Sequence, residues 1–316
     1  MPAEIIIRHP EEDDLEKIVL VRNISLRALP EHRDETLAEV KAEIFNPDYD
    51  SEGCWIAFAD GNAVGYAVGL VESGRLKTGR KEARIDIEVL PSYLGQGFTK
   101  ELVERVLGYA RTRGMNSVLT RCEPAERWKS ELLQSSGFKD VHHWYRMVRT
   151  GRSVPESSSL PPGYQLSSKM LSKVSDDELD RFVSVSNDAL SEVFDFFPWT
   201  REDAMRLRDS TSEIERIAWV EKENEMIGFC VSEESAAFNR VHNSKMGYIL
   251  ILCVLKPYRR LGIGAALLAD GVQWVLGRGM DRIYLAVDAE NPSALGLYKS
   301  HGFSVLREGA YYRVVL

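Results

Sequence analysis

The chain predicts a mixed α/β fold, an α+β mixed sheet, built twice in tandem, and three observations carry that prediction. The first is an internal repeat. Val89 is followed eight residues later by Gly97, as Val254 is by Gly262, and Gly137-Phe138 has its counterpart in Gly302-Phe303. All three landmarks share an offset of 165 residues, which marks two copies of one fold. The second is a break between the copies. Residues 150–163 read TGRSVPESSSLPPG, rich in Ser, Pro and Gly and poor in apolar side chains. The expected division is a first domain over 1–150, a linker over 151–162 and a second domain over 163–316. The third is that both halves lay out the same order of elements.

Each half opens on a short strand, 4–8 and 164–167, that leads into helical stretches. Two apolar strands follow, 55–58 then 63–70 in the first half and 217–221 then 226–232 in the second. A fourth strand covers 84–90 or 247–255, and a glycine-bearing turn then opens a long helix over 100–113 or 265–277. In the second of these helices Leu268, Val272, Val275 and Leu276 fall on one face. A fifth strand (117–122; 282–287), a further helix, the Gly-Phe turn and closing strands complete each half. Early strands with one helical crossover between the fourth and fifth describe a mixed sheet of modest size.

Composition removes several classes of function. The 316 residues are 44% hydrophobic and 28% charged, as in an ordinary globular chain. A net charge of −8 argues against non-specific nucleic-acid binding, which rests on surplus Lys and Arg. The longest apolar run, around 248–255, falls far short of the roughly 20 residues that span a bilayer, so no membrane partner is expected. The opening Met-Pro-Ala-Glu has no apolar leader, and a cytoplasmic location is expected. Cys54, Cys122, Cys230 and Cys253 have neither metal nor redox spacing and read as reduced thiols packed as small hydrophobes. The six histidines form no metal pattern, and no metal is expected.

The strongest local signal is Val254-Leu255-Lys256-Pro257-Tyr258-Arg259-Arg260-Leu261-Gly262-Ile263-Gly264. An apolar strand ends, two basic residues follow, and two glycines open a helix. The glycines let a ligand approach the backbone, and the helix N-terminus offers free N–H groups with a partial positive charge. Together with Arg259 and Arg260 this makes a pyrophosphate cradle. Neither GxxxxGK[ST] nor GxGxxG is present. About 30 residues on, the segment 288–303 reads DAENPSALGLYKSHGF. Asn291 is placed to cap the next helix with Pro292 at its first position, and Asn291, Ala294 and Tyr298 lie about one turn apart on one face.

These two blocks resemble the GNAT superfamily of acetyl-CoA-dependent N-acyltransferases, which carries V-x-x-x-Y-R-x-x-G-x-G/A and then N-x-x-A-x-x-x-Y-x-x-x-G-F. Val254, Tyr258, Arg259, Gly262 and Gly264 match the first block; Asn291, Ala294, Tyr298, Gly302 and Phe303 match the second. The resemblance covers roughly 160–316 and, more weakly, the first half, so the chain reads as two tandem GNAT-like acyl-CoA acyltransferase domains. This arrangement is similar to double-GNAT acyltransferases of the mycothiol synthase type.

The resemblance implies roles. The backbone of Cys253, Val254 and Leu255 would pair with the pantetheine arm of acetyl-CoA. Arg259, Arg260, Leu261, Gly262, Ile263 and Gly264 would hold its pyrophosphate. Asn291 would contact the pantetheine, with Ala294 on the same helical face, and Tyr298 would act as general acid toward the thioester sulfur. A base or water relay is needed to free the amine. The glutamate that several relatives carry at the start of the fourth strand is replaced near Tyr248, leaving Asp288, Glu290, Glu233 and Glu234 as candidates. The aromatic stretch 193–199 would wall the acceptor pocket, with Phe194, Asp195, Phe197 and Trp199, besides Tyr248, as the residues named for it and Asp195 holding a cationic amine.

The first half departs from the family pattern. Leu94 stands where Arg or Gln is usual, Thr99 where Gly or Ala is usual, and Glu126 and Leu133 occupy the positions of Asn291 and Tyr298. Gly95, Gly97, Gly137 and Phe138 keep the turn shapes. The implied reading is a domain that retains the fold and has lost the chemistry, with retained CoA binding as the alternative. The expected activity is acetyl transfer to a primary amine, carried by a small molecule or peptide, by direct attack in the second half of a monomer or homodimer. A non-catalytic acyl-CoA sensor or scaffold, and transfer of another acyl group, are the competing readings.

Overall fold

The computed structural model describes every residue except 1–3, 31, 33, 45–48, 156–158 and 211–214. The centre of the expected linker, 156–158, and the first three residues of the N-terminus thus lie outside the described residues. In chain order the elements are β1 (Ile5–Arg8), α1 (Leu15–Leu26), α2 (Leu37–Ile44), β2 (Cys54–Ala59), β3 (Asn62–Leu70), α3 (Ser73–Lys77), β4 (Glu82–Val89), α4 (Phe98–Thr112), β5 (Ser117–Cys122), α5 (Arg127–Ser135) and β6 (Lys139–Thr150). They continue as β7 (Tyr164–Met170), α6 (Asp176–Leu190), α7 (Arg201–Ser210), β8 (Glu215–Lys222), β9 (Glu225–Glu234), α8 (Ala236–His242), β10 (Met246–Val254), α9 (Ile263–Gly277), β11 (Arg282–Asp288), α10 (Pro292–Ser300) and β12 (Ser304–Val315). The expected strands all form, within a few residues of their expected ends. The short helices α3 and α8, which carry no strong apolar period, were not legible.

The chain divides into two compact units. One is Met1–His142 with Gly309–Leu316, and the other is His143–Glu308. This differs from the division at 150 and 163, and the hydrogen-bond ladders give the reason. In the first unit β1 to β4 run antiparallel, β5 lies parallel to β4, and the C-terminal half of β12 closes the sheet on β5, with Ala310 opposite Cys122 and Val315 opposite Ser117. In the second unit β7 to β10 run antiparallel, β11 lies parallel to β10, and β6 closes the sheet, with Trp144 opposite Asp288 and Thr150 opposite Arg282. Each repeat is closed by the strand that follows the other repeat's Gly-Phe turn. The two closing strands have the same length and the same register, so sequence pattern alone does not choose between them.

Each sheet is covered on both faces. In the first unit α4 buries Leu102, Val103 and Val106 on one face, while Ile18 and Val21 of α1 pack on the other with Ile56 and Tyr66. In the second unit α9 lies on Ile227, Ile249, Ile283 and Leu285, and α6 places Phe182 and Val185 against Trp219, Phe229 and Val231. The apolar face of α9 is wider than a single stripe, since Ile263, Ala266, Leu267 and Ala269 are buried beside Leu268, Val272 and Val275. Leu276 is only partly buried at its edge. Gly271 lets α9 seat directly on β9, where an added Cβ would lie 2.6 Å from Ser232 Oγ. Fully burying each such aliphatic side chain stabilises by about 1.5–3 kcal/mol.

Tyr312 of β12 is buried in the core of the first unit. Tyr312→Ala is expected to destabilise that unit by about 3 kcal/mol. Hydrogen exchange should then quicken in β5 while β10 and β11 keep their protection; unchanged β5 protection would contradict the exchange of closing strands.

Candidate active site

The site begins where a ladder stops. β10 and β11 pair through Met246–Arg282, Gly247–Ile283 and Tyr248–Tyr284, and no further. Beyond Tyr248 the other edge of β10 stays bonded to β9, with Cys253 opposite Phe229 and Val254 opposite Gly228, and Leu255 N–H donates to Ile227 O at 2.9 Å. A gap therefore opens between two parallel strands beside Cys253, Val254 and Leu255, with Val254 O on that side accepting from Arg259 Nε. Cys253 itself is buried, and burial pushes its thiol up to about 12.

The turn after β10 is shaped by two left-handed residues, Arg260 (φ 68) and Gly262 (φ 81). For arginine this conformation costs about 1–2 kcal/mol. Alternating backbone of this kind makes a concave nest of N–H groups that favours an anion. The N–H groups of 260–265, which include Leu261, Ile263 and Gly264, find no acceptor among the described residues. At Gly262 an added Cβ would meet nothing within 4 Å, so the nest faces open space. These features fit a pyrophosphate. Arg259 departs from its expected part, because its guanidinium is turned to carbonyls, Nε to Val254 O at 3.0 Å and Nη2 to Ala189 O at 2.9 Å, with Glu192 3.5 Å away. It ties the turn to the C-terminal end of α6, where a cation is favoured.

Asn291 caps α10, its Oδ1 accepting Ala294 N–H at 3.0 Å, with Pro292 at the first position. About two turns on, Tyr298 is 7% exposed and packs edge-on to Phe303 at 6.0 Å. Its hydroxyl has no hydrogen-bond partner among the described residues, and burial, with the Cys230 and Cys253 thiols close by, pushes the phenol well above its usual range. It is a protonated donor at neutral pH.

The opposite face of the sheet carries a row of polar side chains. Glu215, Glu233, Tyr248 and Tyr284 stand directly across from one another on β8, β9, β10 and β11, and residues so opposed share a face. The Tyr248 and Tyr284 rings lie 5.8 Å apart. Of the four base candidates, Glu234 is bound by Arg278 (2.6 Å), Asp288 Oδ1 accepts Glu290 N–H (2.7 Å), and Glu290 is exposed. Glu233 alone stands beside Tyr248. Glu215 was not found from sequence, because it lies just ahead of the apolar run that marked β8. Burial raises its carboxyl, and its Oε2 is buried without a partner among the described residues. On β6, Arg146 reaches over the Tyr248 ring at 6.0 Å, and it too escaped the sequence reading, which gave β6 to the first domain.

The expected acceptor wall is only partly gathered. Trp199 packs on Phe182 at 5.5 Å and its backbone N–H and C=O are both held by Asn187, so it belongs to the core beside α6. Phe194, Asp195 and Phe197 are partly buried in the turn that precedes it, Asp195 with φ 66.

At the positions of Cys253, Asn291 and Ala294 the first unit has Glu88, Glu126 and Lys129, all buried. Lys129, 4% exposed, places Nζ 3.3 Å from Glu126 and 3.9 Å from Glu88, and Ser25 Oγ donates to Glu88 at 2.6 Å. β4 and β5 diverge after Arg84–Leu119 just as β10 and β11 do, but here an ion cluster occupies the corresponding positions. The turn has changed as well. Gly97 is right-handed (φ −58), and Thr99 sends both its N–H (3.2 Å) and its hydroxyl (2.9 Å) to Gln96 O. A recess of about 340 Å³ remains over it, lined by Gly95, Gly97, Lys100 and Trp128 among others.

A sequence profile described as the acetyltransferase (GNAT) family matches residues 18–138 and 179–303, well over half of the chain. The chain belongs to the acetyltransferase (GNAT) family. It is 24% identical over 268 residues to a mycothiol acetyltransferase of Paenarthrobacter aurescens, covering 82% of this chain and 76% of that protein. A mycothiol acetyltransferase of Stackebrandtia nassauensis is 32% identical over 130 residues, 39% of this chain and 40% of that one. A tandem GNAT protein from the clavulanic acid biosynthesis pathway shares the fold with TM-score 0.73 at 14% identity, over 99% of this chain and 98% of that one. The protein is thus an enzyme of the GNAT N-acetyltransferase type with two tandem GNAT domains. Among the described residues there is no group of three potential metal ligands, and no helix is long and apolar enough to cross a membrane.

Removing Lys129 leaves Glu126 and Glu88 buried without their cation. Lys129→Ala is expected to destabilise the first unit by about 3–5 kcal/mol in denaturant titration. Burial pushes the Glu88 carboxyl up to about 7 against the pull of Lys129. The folded unit therefore keeps a proton that the unfolded chain releases near 4.5, so this contribution to stability is full below about pH 4.5 and is lost as pH rises to about 7. Glu88→Gln should flatten the decline in stability between about pH 5 and 7; an unchanged slope would show that Glu88 does not titrate there.

Proposed function

We propose that the second unit transfers the acetyl group of acetyl-CoA to a primary amine by direct attack, and that the first unit performs no turnover. The observation that carries this reading is the run of N–H groups at 260–265 without acceptors, opening beside the gap between β10 and β11. Acetyl-CoA supplies an activated acyl group as a thioester. The stretch Cys253, Val254 and Leu255 would run alongside the pantetheine arm, with the Val254 N–H as the backbone donor turned to it, Asn291 and Ala294 would line it from α10, and the nest from Arg260 to Gly264 would take the pyrophosphate. Arg259 would support the nest by bracing it.

The gap joins two faces of the sheet. Tyr298 packs with the core on the α10 side, and the row Glu215–Glu233–Tyr248–Tyr284 lies on the other. Attack by an amine arriving from that second face forms the amide bond and releases the thiol. Tyr298 would give its phenolic proton to the leaving sulfur, and the amine's proton would pass to Glu233, directly or through water, with Glu215 beside it. Direct attack is supported by the thiols: Cys230 and Cys253 are buried and pushed up to about 12, so neither is a ready nucleophile.

Calorimetric titration with acetyl-CoA is expected to give one site per chain, abolished in Gly262→Asp, which adds bulk, strain and negative charge to the nest. Two sites, or unchanged affinity in that variant, would overturn the assignment. Tyr298→Phe should lower kcat at least tenfold, about 1.4 kcal/mol in the barrier, with acetyl-CoA affinity unchanged. Full activity would remove Tyr298 as the donor.

A further inference from the structure

Two buried hydrogen-bond donors on β6 have no partner among the described residues. Trp144, 8% exposed, has its indole Nε1 buried with no acceptor, and Arg146 has its Nε buried with none. They are two residues apart on one strand, hence on one face and about 7 Å apart along it. The Arg146 guanidinium lies 5.5 Å from the Trp144 ring and 6.0 Å from the Tyr248 ring. Both side chains are donors only, so no pairing between them can satisfy either. The carboxylate nearest in register, Asp288 opposite Trp144, has Oδ1 engaged by the Glu290 N–H at 2.7 Å. A charged and a neutral donor left unsatisfied side by side are costly unless a ligand supplies the acceptor.

Their place identifies the ligand. Val148, on the same face of β6, stands opposite Tyr284, so Arg146 and Trp144 extend the row that ends at Tyr284, on the face away from Tyr298. We infer that they bind a carboxylate carried by the acceptor itself, so that the acceptor is an amino acid-like molecule whose amine and carboxylate are a few bonds apart. The inference rests on the proposed amine acetylation in this unit and narrows its substrate class. Arg146 holds the carboxylate through charge-assisted hydrogen bonds with Trp144 Nε1–H as second donor. The amine then lies toward Tyr248 and the gap, within reach of Glu233. The anion also cancels the positive charge at Arg146, while Glu215 and Glu233 suit the ammonium form that arrives.

The test compares three pools at fixed acetyl-CoA: the common α-amino acids, their carboxamides, and simple alkyl amines, with acetylated products read by mass spectrometry. The free acids are expected to be favoured at least tenfold in kcat/KM over the matching amides. Arg146→Gln should cut kcat/KM for the best acid at least tenfold, mainly through KM, and bring acid and amide within about twofold of each other. Trp144→Phe, which keeps a ring and removes the N–H, should give a smaller loss of the same kind. Acetyl-CoA affinity should not move in either variant, which guards against misfolding. Equal use of acids and amides, turnover confined to alkyl amines, or an acid preference that survives Arg146→Gln would overturn this inference and leave amine acetylation standing. Acetyl-CoA binding with no acetylation in any pool would overturn both.

Discussion

The organising constraint in the second unit is the point at which β10 and β11 stop pairing. Parallel strands ordinarily keep their ladder, because a buried unpaired backbone group is costly. Here the ladder ends at Tyr248–Tyr284, and beyond it β10 pairs with β9 alone. The candidate site residues are arranged around that opening. The nest at 260–265 lies where the strand leaves the sheet, α10 brings Tyr298 to one face, and the polar row occupies the other. The strain at Arg260, left-handed without being glycine, is concentrated at the same place, as strained backbone commonly is at functional positions.

The first unit shows what becomes of the same opening when a cluster of charges takes its place. The divergence of β4 from β5 is preserved, yet Glu88, Lys129 and Glu126 meet at the positions that in the second unit carry small or neutral side chains. A buried cluster of this kind is weak evidence for stability, since desolvation offsets much of the attraction. Its effect is to use up the hydrogen-bonding capacity of the site internally. The first half therefore departs from the family pattern in more than the phenol absent at Leu133.

The exchange of closing strands explains why Trp144 and Arg146 were hidden. β6 follows the first repeat in the chain but pairs with β11, so Trp144 and Arg146 belong to the second unit. Reading each repeat as self-contained assigned them to the first half. The same exchange carries Tyr312 into the core of the first unit.

The amino-acid sequence by itself determined the duplication, the order of strands and the glycine-bearing turn with its capped helix. Those features are local: strand alternation, glycines at fixed offsets, and an Asn-Pro helix start that forms the cap it promises at Asn291. Tertiary structure decided three things. It turned Arg259 away from the nest toward Ala189, it folded Trp199 into the core beside Phe182, and it chose which strand closes each sheet. Each depends on contacts between segments far apart in the chain. No spacing rule encodes them, because two closing strands with one pattern are equivalent until the cores they complete select between them.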